Sequence, residues 1–327
     1  MAALELTQWW TALTRGLAGT AVAVAASSPE HGRLHWSAGK LSDQSVTPST
    51  SFYAGSVTKQ LVAALVARAV LDGHLDPRAS IRRYVPGLPV WTAPIGVHHL
   101  LHHTAGLPQP RQLAVALGYP DDAAGWSRLD NEAVLAALHR VTPSAVLPGR
   151  EFSYDNTGYI VLAELLRAVR GRVVADLARS EIFEPLGLSG SRVGGPPPVT
   201  LPGWAAPPAT TGDGGLWTCA ADLATWLEAI NEDRLGADLT GLVQSPGRLE
   251  DGTVLDYAWG IGPRPGPAGT SYLHGGESPG WCAMTVRCPT TATAVAILAA
   301  TEDMATVTSA ARELHGRLGA VVGPADE

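Results

Sequence analysis

Ser56 and Lys59 stand three residues apart at the head of an apolar run, in the stretch Phe52-Tyr53-Ala54-Gly55-Ser56-Val57-Thr58-Lys59-Gln60. Leu61, Leu65 and Ala69 then recur at helical spacing against Val62, Val66 and Val70, which predicts a helix with Ser56 at or near its N-cap. Residues three apart on a helix are neighbours at about 5–6 Å between Cβ atoms, so the hydroxyl and the amine meet. A serine hydroxyl is a poor nucleophile until a base takes its proton, and a lysine drawn out of water can serve as that base. The helix N-terminus adds N–H groups and a positive dipole end where an oxyanion would form. Composition sharpens the choice. Of 23 Lys plus Arg, only Lys40 and Lys59 are lysines, and arginine does not give up its proton.

Two other serines match catalytic patterns and fail on physical grounds. Ser37-Ala38-Gly39-Lys40 repeats the S-x-x-K spacing, yet it closes an expected strand with Gly39 in a turn, so no helix brings its side chains together. Gly276-Glu277-Ser278-Pro279-Gly280 fits G-x-S-x-G, but the residue after the nucleophile of that elbow must donate a backbone N–H, and Pro279 has none.

The elements that must position Ser56 come from both ends of the chain. Leu4 to Leu17 reads as an amphipathic helix, and Gly19 to Ala26 with Arg33 to Gly39 as a hairpin. From the turn at Asp72-Gly73 to about Thr211 the pattern is helical, with long Pro/Gly-rich connections. Helices are expected over Val97–His103, Asn131–His139, Thr157–Val169 and Val173–Phe183, and a proline-rich loop over Gly194–Pro208. A helix over Ala220–Ile230 follows, then strands over Tyr257–Gly262, Tyr272–Gly275, Trp281–Cys288 and Ala292–Ala300, and a closing helix over Ala305–Leu318. Strands at both ends with helices between predict an α/β (α+β) chain: an antiparallel sheet built from both termini, flanked by helices, with an inserted, mostly helical subdomain. One domain over 1–327 is expected, its sheet part about 1–75 and 212–327 and its helical insert about 76–211.

Composition excludes several classes. With 46% hydrophobic residues and a net charge of −7, the chain can bury a large core and has no basic footprint for nucleic acid. No apolar run reaches the roughly 18 residues of a membrane-spanning helix. Gly19–Ala26 is small and apolar, but Glu5 precedes it and no positive segment does, so a cytoplasmic location is expected rather than a secretory signal. Three cysteines do not suggest a disulfide framework, and Cys282 and Cys288 fall on one face of a strand, as core residues do. No cofactor and no metal are expected: His98, His99, His102 and His103 have helical spacing but no carboxylate between them in the H-E-x-x-H manner.

Two further segments bear on Ser56. Tyr154-Asp155-Asn156 opens the helix at Thr157, and a tyrosine beside a lysine can relay a proton. His274-Gly275-Gly276 ends an expected strand, where glycines let a substrate lie close to exposed backbone. Alone, these read more readily as a core tyrosine and a glycine turn.

Together the three segments resemble the serine β-lactamase and penicillin-binding-protein superfamily, in its class C β-lactamase, D-alanyl-D-alanine carboxypeptidase and esterase branch. The resemblance runs from Gly19 to about Ala300 and includes Leu100–Pro108, Tyr154–Tyr159 as Y-x-N, and Gly214-Gly215-Leu216 with Asp222. It implies Ser56 as nucleophile, Lys59 as general base and Tyr154 as proton relay to the leaving group. Asn156 would orient Lys59 and a substrate carbonyl. His274 stands where many members carry the lysine of K-T-G. The oxyanion hole would be the N–H groups of Ser56 and Glu277, with Gly275 and Gly276 on the substrate-binding edge. A covalent acyl-enzyme, released by water, follows from that arrangement.

Asp155 departs from the serine common between the Tyr and the Asn, so its carboxylate either acts on the lysine or points to solvent. The reading is a serine hydrolase of esterase, amidase or D-peptidase type, with β-lactamase activity weak or absent, acting on a small-molecule or peptide-like acyl substrate. Rivals are an acyltransferase using the same acyl-enzyme and a non-catalytic ligand-binding protein on this fold. Selectivity is expected from Pro110–Trp126, Gly194–Pro208 and Gln244–Asp256.

Overall fold

A computed structural model describes residues 3–142 and 144–319; positions 1–2, 143 and 320–327 of the expected domain lie outside the described residues. The strands are β1 (Val22–Ser28), β2 (Gly32–Ala38), β3 (Lys40–Leu41), β4 (Gln44–Ser45), β5 (Phe52–Tyr53), β6 (Arg192–Val193), β7 (Leu216–Thr218), β8 (Gly262–Gly266), β9 (Gly269–Ser278), β10 (Trp281–Cys288) and β11 (Thr293–Ala299). The helices of the first half are α1 (Ala3–Gly16), α2 (Thr58–Leu71), α3 (Val97–Leu101), α4 (Pro110–Ala116), α5 (Ala123–Trp126) and α6 (Asn131–Ala137). Those of the second are α7 (Thr157–Arg170), α8 (Val174–Ala178), α9 (Glu184–Leu186), α10 (Ala220–Asn231), α11 (Ala237–Gln244) and α12 (Met304–Gly319).

The main sheet has the order β2-β1-β11-β10-β9-β8, every pair antiparallel, so both termini do contribute to one sheet. Both of its faces are covered, and the strand alternation sorts the residues. Val22, Val24, Cys282, Met284, Val286, Val295 and Ile297 pack with Leu6, Trp9 and Leu13 of α1 and Val307, Ala311 and Leu314 of α12. Ala23, Ala25, Ala283, Ala294, Ala296 and Leu298 turn the other way into the larger core. Cys282 and Cys288 are both buried and free, on the strand where the sequence puts them.

Helix α2 belongs to that larger core and is buried on nearly all sides, from Thr58 to Ala67. A helix apolar all round is an interior helix, and α2 packs against α7, α8 and α11. Ser56 precedes it in a 3-10 turn, Gly55–Val57, and the N-cap position falls on Val57. The Ser56 side chain therefore does not cap the helix, which leaves its hydroxyl for other partners.

Several elements differ from expectation. Tyr257–Gly262 is not a strand; the strand is Gly262–Gly266, whose two prolines argue against strand in sequence yet are tolerated because β8 is the sheet's edge. Helices α4 and α11 are present where the sequence reading gives none. Within the helical stretch, Arg192–Val193 forms a strand, joined to β7 and β5 in a small sheet at the mouth of α2. Among the described residues no helix is long and apolar enough to cross a membrane.

Candidate active site

The Ser56 turn is tethered on two sides. The Ala54 N–H donates to Leu216 O at 2.9 Å, and Thr58 Oγ1 donates to Gly55 O at 2.7 Å while accepting from Leu216 N at 3.1 Å. Against its other side lies the end of β9. Pairing with β8 stops at Leu273, so His274 to Ser278 form an open edge facing the turn. A Cβ on Gly276 would collide with the Ala54 carbonyl and lie 2.9 Å from Ser56 N, and one on Gly55 would lie 2.9 Å from Glu277 N. Glycine at both places lets the two backbones touch, and Gly55 also has φ +49°.

Lys59 is fully buried, and its Nζ makes three contacts: Ser56 Oγ at 3.0 Å, Asn156 Oδ1 at 2.7 Å and Asp213 O at 2.9 Å. The last two atoms only accept, so they occupy two Lys59 protons in either ionisation state. The remaining tetrahedral position faces Ser56 Oγ. It is a proton in the ammonium form and a lone pair in the amine form, which is the geometry a base for that hydroxyl needs.

Tyr154 brings its ring to 5.0 Å from Lys59 Nζ, with Tyr159 on a further side at 5.5 Å. Among the described residues the Tyr154 hydroxyl makes no hydrogen bond to Ser56; catalytic contacts of this kind are often long before substrate arrives. Asn156 precedes α7 and uses its carbonyl on Lys59, which leaves its amide nitrogen as the donor toward the cleft.

Asp155 is buried, which removes the solvent-facing option for its carboxylate. Its Oδ1 accepts the Gly158 N–H at 2.5 Å in the first turn of α7, and its Oδ2 has no hydrogen-bond partner, lying 4.0 Å from His103 Nδ1. Burial pushes this carboxyl up to about 7, against the pull of the Gly158 N–H and the Lys59 charge. His103 lies behind it, accepting the Asp155 N–H at Nδ1 and stacking its ring 4.2 Å from that of Tyr154. Burial first, and Lys59 second, hold His103 neutral. The remaining histidines of that stretch bond to backbone: His98 Nδ1 to Pro77 O, His99 Nδ1 to Gly96 N and His102 Nδ1 to His98 O.

The cleft itself, about 220 Å³, is lined by Tyr53, Gly55, Ser56, Asn156, Asp213, Gly214, Glu277 and Ser278, with Trp126, Ala206, Pro208 and Pro279 as its apolar wall. The loops Pro110–Trp126 and Gly194–Pro208 thus reach it, whereas Gln244–Asp256 contributes no lining residue. His274 and Gly275 do not line it either. His274 is buried on the face of β9 that Gly276 shares, with its ring 6.2 Å from that of Tyr154, while a Cβ on Gly275, on the opposite face, would point at Met304 of α12. Glu277 pairs with Cys282, whose side chain faces α12, so it is the Glu277 backbone that fronts the cleft. Sequence reasoning missed Asp213 and Tyr257. Asp213 acts through a main-chain carbonyl, which no residue type announces, and Tyr257 sits in a stretch read as strand.

A sheet of this order with a cleft-lining serine and a buried lysine at the head of its central helix defines a β-lactamase-type protein. The chain belongs to that family: the Beta-lactamase family profile matches residues 6–317. Among curated relatives it is 27% identical over 256 residues to a D-aminopeptidase of Gluconobacter oxydans, covering 72% of this chain and 46% of that one. It is 24% identical over 274 residues to a penicillin-binding protein of Bacillus subtilis, covering 72% and 57%. The chain thus spans about half the length of these relatives. The octameric penicillin-binding protein homologue from Pyrococcus abyssi shares the fold, with a TM-score of 0.80 at 21% identity over 97% of this chain and 77% of that one.

Proposed function

We propose that the chain is a serine hydrolase that cleaves an amide or ester bond of a small, peptide-like substrate through a covalent acyl-Ser56 intermediate. The observation that carries this reading is the placement of Lys59 Nζ, which two fixed acceptors aim at Ser56 Oγ. As Ser56 Oγ attacks the acyl carbon, its proton passes to the Lys59 amine, and the carbonyl oxygen gathers charge between the N–H groups of Ser56 and Glu277. The Asn156 amide nitrogen holds the substrate carbonyl. Tyr154, closing on the site with substrate bound, returns the proton to the leaving group, and water then releases the acyl group by the reverse sequence.

Kinship with a D-aminopeptidase and a penicillin-binding protein supports amide chemistry on peptide-like substrates, as does the small cleft with apolar walls. A cytoplasmic location and turnover of esters as well as amides belong to the same proposal. The test is labelling with a fluorophosphonate, followed by intact-mass and peptide analysis. A single adduct on Ser56 is expected, lost in Ser56→Ala; Lys59→Ala lowers ester and D-amino-acid amide turnover by roughly a hundredfold or more. A folded protein that takes no adduct overturns the reading.

A further inference from the structure

His274 is buried beside the Lys59 site, on the face of β9 that Gly276 shares. Its Nδ1 lies 2.6 Å from the Gly275 carbonyl oxygen, which only accepts, so Nδ1 carries the proton. In the neutral ring Nε2 is then a lone pair, and the Tyr257 hydroxyl, 2.9 Å away, donates to it. The next carbonyl back along the strand, that of His274, accepts from Thr285 Oγ1 at 2.9 Å, and Thr285 in turn accepts from Gln60 Nε2 at 2.8 Å. Gln60 is the residue after Lys59. Two consecutive carbonyls of β9 are therefore pinned, one through α2 and one through the His274 ring. The two residues that follow, Gly276 and Glu277, are those that meet the Ser56 turn.

We propose that Tyr257 is a positioning residue: its hydroxyl locks the His274 ring so that Nδ1–H holds the Gly275 carbonyl and, through it, the Gly276–Glu277 backbone opposite Ser56. The consequence for catalysis rests on the acyl-Ser56 reading; the hydrogen-bond polarity does not. The charged or titratable groups facing His274 are Lys59 from α2, Tyr154 from the turn before α7, Tyr257 from the segment before β8, and His103 from the turn after α3. Burial first and the Lys59 charge second lower the imidazole to about 4, so the bridge has one polarity across the neutral range. A protonated ring would donate from both nitrogens, and the Tyr257 hydroxyl would have to turn and accept.

Tyr257→Phe removes the donor and keeps the ring. On an ester substrate kcat falls about tenfold while KM stays within about threefold, because backbone groups aimed at the developing oxyanion act in the transition state. The acid side of the kcat profile also moves to higher pH, as the imidazole loses the bond that favours its neutral form. Tyr272→Phe on the same strand changes neither. Nitrogen NMR of histidine-labelled protein reads the bridge without turnover: in the unmutated chain His274 shows the Nδ1–H tautomer and does not titrate above pH 5. An Nε2–H tautomer, or a Tyr257→Phe enzyme with unchanged kcat and pH profile, overturns the proposal. Absence of a Ser56 adduct would instead sink the hydrolase reading and leave the NMR result to decide the bridge.

Discussion

At the scale of single residues, the site is a lone lysine ringed by aromatic side chains. Tyr154 and Tyr159 face Lys59 with their rings, and His103 and His274 are both held neutral by burial and by the Lys59 charge. These shifts have opposite consequences for stability. His99, His102, His274 and His315, all lowered to about 4 chiefly by burial, refuse protons in the fold that the unfolded chain accepts below about 6.5. Their contribution is complete above that value and is lost as the pH falls toward 4, so Tm is expected to drop by several degrees between pH 7 and pH 5. Asp155, raised to about 7, runs the other way: between 3.8 and 7 the fold holds a proton that the unfolded chain releases, so its contribution falls as the pH rises. Asp155→Asn keeps an acceptor for the Gly158 N–H and removes the buried charge. Its Tm relative to the unmutated protein is expected to rise between pH 5 and pH 8, measured by calorimetry; a constant difference would show that the carboxyl is ionised throughout.

At the scale of elements, the proposed chemistry depends on how closely β9 approaches the turn before α2. A methyl group on Gly276 would strike the Ala54 carbonyl, so Gly276→Ala must push the strand edge from Ser56. We expect a loss of about 1–3 kcal/mol in stability, with kcat reduced more than stability alone explains. Fluorophosphonate labelling at equal folded fraction separates the two: a normal labelling rate would mean that the edge does not supply the oxyanion contact. The S-x-x-K helix, the Y-x-N turn and the H-G-G strand are each legible in sequence because each is local. Strand β8 was not, since Pro263 and Pro265 contradict strand propensity and only its place at the sheet edge permits them.

At the scale of the whole molecule, the helical stretch between the two sheet-forming ends closes the cleft. Trp126 of α5 reaches the cleft wall with the Arg111 guanidinium 5.1 Å from its ring, and Arg111 is held in turn by Asp121 at 2.5 and 2.9 Å. Trp126→Ala is expected to widen the acyl side and raise the kcat/KM ratio of octanoyl to acetyl p-nitrophenyl esters at least about fivefold; an unchanged ratio would place the size limit with Ala206 and Pro208. The sequence by itself determined the nucleophile and base candidates and the antiparallel sheet built from both ends. Helical spacing brings Ser56 to Lys59, and alternation with turn residues writes strands locally. It also disposed of Ser37 and Ser278, through a glycine turn and a proline without an N–H. Only the tertiary structure decided what surrounds Lys59: the Asp213 carbonyl, 154 positions away, and the Asn156 amide, 97 away. It likewise turned His274 inward onto Tyr257 and buried Asp155. Those outcomes depend on which strand face and which backbone atom meet across the fold, and one-dimensional spacing carries no record of either.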